Sequence, residues 1–322
     1  MMNIREISDT ESASYDGLAR EHGTVFHSAA WTALFGDGLV RYGVFQKNGD
    51  LIAGFCLRRI VVLGMEVFRT PPFTPQCGPF FRIKAQKPVA VLEARREILD
   101  AVAEFLDRRS CALVSVGLDP RIQDTLPFVW RKFKVVPRYT YVLDLASSLE
   151  DVQANMSPAT RNDISKATRD GLVVRQTTDP MVIRDLVRET FARQHVHTDA
   201  QHLDAILFRF SNPDNRFMFT TYRGDSPIAG CFIVHDSKTA YNLLAGYKAA
   251  EKHHGAGALA VFEAIKHAKV IGLKTFDFEG SMIPAIERYF RGFGGRLTPY
   301  FAVNKAWLPL EIGLKFFKRE LF

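Results

Sequence analysis

Lys252-His253-His254-Gly255-Ala256-Gly257 follows an extended run over 240–247 and precedes an apolar helix predicted over 256–269. Glycines let a backbone approach a ligand closely, and the N–H groups of a helix's first turn point outward with the helix dipole behind them. Such a stretch can hold a phosphate, although an ordinary turn has the same look in sequence. Glu279 stands at the end of a strand predicted over 274–278, the end of an α/β sheet where ligands collect. A helix cap or an ion pair is the plainer use of such a carboxylate. His195 and His197, with Asp199 and His202 close by, alternate as metal ligands on a strand would. They follow a helix predicted over 181–193 and therefore read better as a loop, lining a substrate site or facing solvent. Arg161 and Lys166 are two cations on one short helix that suit a phosphate or an acceptor, or a solvated face. Cys56, Cys77, Cys111 and Cys231 form no C-x-x-C pair, so they suggest neither zinc nor redox chemistry.

These residues need a scaffold, and the clearest organisational signal is an internal repeat. Tyr42–Phe55 reads as strand, turn, strand, and Phe217–Phe232 repeats the design, with Ile52-Ala53-Gly54 matched by Ile228-Ala229-Gly230 at a separation of 176 positions. In the first half a helix over 89–108 and a strand over 112–116 follow; in the second, a helix over 256–269 and a strand over 274–278. The fold class is therefore α/β (α+β), as two tandem domains, each a mixed central sheet flanked by helices. The expected division is 1–146, 147–305 and a terminal amphipathic helix over 306–322 that packs back on the body. A basic amphipathic helix also suits an anionic membrane surface.

The 322 residues are 47% hydrophobic and 24% charged, as in an ordinary globular protein large enough for two cores. Met1–Glu6 lacks a basic stretch followed by an apolar one, and no apolar run approaches the ~20 residues that span a bilayer, so a cytoplasmic protein is expected. A net charge of +7 favours a polyanionic partner such as RNA, a nucleotide or coenzyme A.

The 252–257 loop resembles the Q/R-x-x-G-x-G/A loop of GNAT acyltransferases, with Lys252 in place of the usual Arg or Gln. Phe276–Ser281 and Ile286–Gly295 resemble the second GNAT signature, and with Ser157–Leu172 they make the chain similar to the FemAB-like double-GNAT family, peptidoglycan bridge-forming aminoacyltransferases included. The resemblance covers about 155–305, and the first half only through the repeat. It implies an N-acyltransferase that moves an acyl or aminoacyl group from acyl-CoA or aminoacyl-tRNA to a small-molecule or peptide amine, without a metal. Lys252, His254, Gly255, Ala256 and Gly257 would bind the donor, and Arg161, His195 and His197 the acceptor. Glu279 would act as base, Tyr289 would protonate the leaving group, and Lys305 would be the late basic residue near the donor. Phe290 competes with Tyr289 for the matching place. Thr74–Pro79 holds a single Gly between prolines, so the first half has no equivalent donor loop. A monomer or weak dimer is expected; the alternative function is a non-catalytic duplicated scaffold that binds RNA or a metabolite.

Overall fold

The computed structural model describes residues 2–194, 199–210, 213–280, 282–318 and 321–322. Its elements run, in chain order, β1 (Asn3–Glu6), α1 (Ser12–His22), α2 (Ala29–Thr32), β2 (Leu39–Phe45), β3 (Leu51–Val62), β4 (Met65–Arg69), β5 (Phe80–Phe81), α3 (Pro88–Asp107), β6 (Leu113–Gly117), α4 (Leu126–Trp130) and β7 (Lys134–Asp144). The second half continues with α5 (Leu149–Asn155), α6 (Pro158–Arg169), β8 (Val173–Gln176), α7 (Pro180–Arg193), α8 (Ala200–Asp204), β9 (Arg216–Arg223), β10 (Ser226–His235), β11 (Thr239–Tyr247), α9 (Ala256–Val270), β12 (Thr275–Asp277), α10 (Pro284–Arg291), β13 (Arg296–Ala306) and α11 (Leu308–Phe317).

Two compact units emerge, one from 1–138 with 299–322 and the other from 139–298. In the first the strand order is β1-β2-β3-β4-β6-β13, with β5 also paired to β3; in the second it is β8-β9-β10-β11-β12-β7. The pairings correspond one for one. The hairpins β2–β3 and β9–β10 are antiparallel, β4–β6 and β11–β12 are parallel, and β6–β13 and β12–β7 are antiparallel again. Ile52-Ala53-Gly54 and Ile228-Ala229-Gly230 thus lie on equivalent strands, and the halves are one fold duplicated.

The division differs from breaks at 146 and 305 because the closing strands are exchanged. Val142–Asp144 of β7 pairs with β12, while Ala302–Ala306 of β13, late in the chain, pairs with β6. Strand propensity is local, but the partner of a closing strand is chosen by tertiary packing.

In the second unit α7 and α9 cover opposite faces of the sheet. A Cβ on Gly246 would run into the backbone of Leu186 on α7, whereas the Thr221 hydroxyl donates to the Ala256 carbonyl at the start of α9 (2.8 Å). Phe217, Ile233, Phe262, Ile265 and Phe276 form the core beneath α9, all fully or almost fully buried. Each such side chain contributes about 1.5–3 kcal/mol of burial. The first unit holds a separate core built on Tyr42, Phe55, Phe68, Leu99 and Val102. Leu310 and Leu314 of α11 are half-buried and Asn304 Nδ2 of β13 donates to the Leu321 carbonyl (2.7 Å), while Phe316 and Phe317 are 72% and 85% exposed.

Candidate functional site

The site residues that the sequence singles out fall mainly in the second unit, around the start of α9 and the end of β12. Gly255 caps α9 in a right-handed conformation (φ −88°), so it is not required for its dihedral. It is required for space, because a Cβ there would collide with the Asp163 carbonyl on α6. His253 fixes the turn from the other side. Its Nδ1 accepts the Gly255 N–H (3.1 Å), which leaves Nε2–H to donate to Asp170 (3.1 Å). That bond holds the Asp170 carboxyl below its ordinary range. Among the described residues no acceptor meets the N–H groups of Gly257 or Ala258, the second and third residues of α9. They leave an amide pair at the positive end of a helix fifteen residues long.

Tyr289 on α10 reaches this helix start. A Cβ built on Gly257 would lie 3.4 Å from the Tyr289 hydroxyl. The ring is half-buried against Phe290 and Phe293, and burial, followed by Cys231 and Asp163, pushes the hydroxyl well above its ordinary value. It remains a proton donor across the physiological range.

Glu279 occupies a strained turn. The parallel pairing of β11 and β12 ends at Tyr241 opposite Asp277, and Glu279 then takes φ +61° and Gly280 φ +62°. A carboxylate residue in the left-handed region is uncommon, and outliers of this kind concentrate at functional sites. Asp277 holds the turn: its Oδ1 accepts the Glu279 N–H (2.8 Å) and the Thr140 hydroxyl (2.5 Å). Gly280 cannot carry a side chain, because a Cβ would enter the Tyr139 carbonyl. Burial of the Glu279 carboxyl, then the negative Asp277, push it well above the usual carboxylate range.

Sequence reasoning overlooked Asn242. It lies on β11 just past the last β12 pair, beside a register shift that leaves Leu243 without an opposite residue on β10. Asn242 is 4% exposed, and neither its Nδ2 nor its Oδ1 has a partner among the described residues. An unpaired buried amide costs about 1–3 kcal/mol per group, which sets Asn242 apart from its apolar neighbours on β11. A lone Asn inside the apolar run Ala240–Gly246 was the available clue. Asp277, between Phe276 and Phe278, gave the same kind of clue.

The remaining expectations are placed as follows. Ala256 is buried in α9, Lys252 and His254 are exposed on the loop, and the Lys252 N–H donates to Ala249 (3.3 Å). The Arg161 guanidinium donates to the carbonyls of Ala154 (2.8 Å) and Met156 (2.6 Å), closing the end of α5. Lys305 belongs to the first unit, where its ammonium meets the Asp107 carboxylate and donates to the Arg131 carbonyl (2.9 Å). His195 and His197 lie outside the described residues. Among the described residues no group of three His, Cys, Asp or Glu side chains could hold a metal.

Residues 158–291 match the family model described as "Acetyltransferase (GNAT) domain". No curated protein sequence matches the chain. Among solved structures it is similar to FemX at 12% identity, covering 97% of this chain and 100% of that one with a TM-score of 0.69. L-PGS from Bacillus licheniformis aligns at 10% identity over 96% of each chain with a TM-score of 0.54. A tandem GNAT protein from the clavulanic acid biosynthesis pathway aligns at 12% identity over 95% of this chain and 98% of that one, with a TM-score of 0.51. The GNAT-domain match falls within the second unit, and the duplicated fold of the two units is shared with FemX.

Proposed function

We propose that the second unit transfers an acyl group from a coenzyme A thioester to an amine, with both substrates bound together. One observation carries this reading: the amides of Gly257 and Ala258, unpartnered among the described residues, open beside the Tyr289 hydroxyl, so a site for a donor phosphate adjoins a proton donor. Lys252 and His254, exposed on the same loop, supply further contacts to the donor. The Asn242 side chain can both donate and accept, which suits an amide of the donor's arm.

In this reading the neutral amine attacks the thioester carbonyl and the carbonyl electrons move onto oxygen. Collapse of that intermediate breaks the C–S bond. The proton lost by the amine passes to Glu279, directly or through water, and Tyr289 protonates the departing thiolate. The elevated affinity of Glu279 for protons strengthens it as a base. Arg161, His195 and His197 are assigned to the acceptor side; Lys305, bonded to Asp107 in the first unit, takes no part in this reading. An aminoacyl-tRNA ester is the second donor class, favoured by the +7 net charge.

Titration calorimetry with CoA, acetyl-CoA and an aminoacyl-tRNA, followed by a thiol-release assay against a panel of amines, tests the reading. CoA binding that is lost on Gly257→Val supports it. Binding without thiol release on any amine favours a non-catalytic scaffold, and no binding of either donor class sinks the proposal.

A further inference from the structure

One end of the first unit's sheet is crowded with exposed apolar side chains. Val67 on β4, Leu113 on β6 and Ala306 on β13 stand in register, so the turn before β4 and the start of α11 leave the sheet at the same end. The Trp307 N–H donates to the Ala112 carbonyl (2.9 Å), the Ala112 N–H donates to the Glu66 carbonyl (2.8 Å), and Met65 and Trp307 line one cavity.

The turn is Leu63-Gly64, with φ of +51° and +78°, the two-residue geometry that favours Asn or Asp followed by Gly. Instead it carries a leucine that is 93% exposed, flanked by exposed Val61 and Val62. Backbone strain and solvent exposure both disfavour that residue, so neither folding nor solubility accounts for it. At that end Trp307 leads into α11, on which Leu308, Ile312, Phe316 and Phe317 are, like Trp307, at least half exposed. Cations outnumber acids in both segments: Arg58, Arg59 and Arg69 to Glu66 in the hairpin, where Arg59 pairs with Glu66 (2.7 Å), and Lys315 and Lys318 to Glu311 in Trp307–Lys318, where Lys315 pairs with Glu311 (2.8 Å).

We propose that this end of the first unit docks on an anionic lipid bilayer, with the Leu63 tip and α11 entering the headgroup region. A protruding apolar tip and an aromatic-rich helix, each beside basic side chains, match an interface that is apolar beneath and negative at its surface. The surface is independent of the acyl-transfer reading.

Flotation of the full chain with vesicles of phosphatidylcholine, with and without phosphatidylglycerol, tests it. Binding is expected to require phosphatidylglycerol and to weaken at high salt. Leu63→Asn relieves the turn strain, so it is expected to keep or raise the melting temperature while lowering vesicle affinity about ten-fold, with Phe316→Ser/Phe317→Ser lowering it similarly. Absence of binding to either vesicle, or equal binding by these folded variants, overturns the proposal. Self-association in analytical ultracentrifugation that Leu63→Asn abolishes would overturn it in favour of a contact between copies.

Discussion

The Tyr289 hydroxyl faces Gly257, the second residue of α9, at 3.4 Å from where a Cβ would stand, while Gly255 two residues earlier abuts the Asp163 carbonyl. The two loop glycines therefore serve different ends, and substitution separates them. Gly257→Ala places a methyl in ordinary van der Waals contact with the Tyr289 hydroxyl within a helix, where alanine gains about 0.5–1 kcal/mol over glycine. Thermal unfolding should show the variant at least as stable as the parent, while calorimetry shows donor affinity lowered about ten-fold or more. Gly255→Ala should lose about 3 kcal/mol or more of stability in urea titration, from backbone overlap that cannot relax easily. Equal behaviour of the two variants would contradict this assignment.

Tyr289→Phe removes the proposed acid but keeps the ring against Phe290 and Phe293. Turnover should fall about 10²-fold or more, with donor binding little changed. The deficit should shrink for donors with a better leaving group, since these need less proton assistance. A uniform deficit across leaving groups would place Tyr289 in the scaffold.

Glu279 links mechanism to stability. Its carboxyl is raised in the folded state, so the folded protein holds this proton more tightly than the unfolded chain. Its contribution to stability is fully present below the ordinary glutamate value of about 4.3 and is lost as pH rises through the folded value. Glu279→Gln should consequently stabilise the protein at neutral pH while reducing turnover. On the rate side, kcat/KM of the parent should rise with pH along an acid limb above pH ~4.3, and that limb should vanish in the variant. Chemical denaturation across pH and initial rates on the same samples measure both.

In the first unit His27 is fully buried, with Nδ1 accepting the Thr24 N–H (3.2 Å) and Nε2 bonded to the Gly78 carbonyl (2.9 Å). Burial lowers it to about 4. A depressed histidine must charge on unfolding, so stability should fall as pH drops from about 6.5 toward that value, by up to about 1.4 kcal/mol per unit. Urea midpoints for the parent and His27→Gln should diverge at pH 7, where the bonds are intact, and converge toward pH 4. A parent midpoint independent of pH in this window rules out the neutral buried histidine.

Much of this was legible from local pattern. The two hairpins, the helices that follow them and the glycine-bearing start of α9 announce themselves through apolar periodicity and turn residues, because secondary structure is specified by near neighbours. The repeat of Ile-Ala-Gly at 52–54 and 228–230 disclosed the duplication for the same reason. Tertiary packing decided the rest. Whether Tyr139–Leu145 closes the first sheet or the second depends on which strand offers a free edge, a contest between residues more than a hundred positions apart. Likewise, nothing in the sequence distinguishes Gly255, required by the approach of α6, from Gly257, which leaves room beside Tyr289. Arg161 and Lys305 look alike as free cations on paper, yet folding commits one to the carbonyls ending α5 and the other to Asp107. The burial of Asn242 without a partner among the described residues arises only when β11 outruns β12, because hydrogen-bond satisfaction is a property of the assembled neighbourhood, not of the residue.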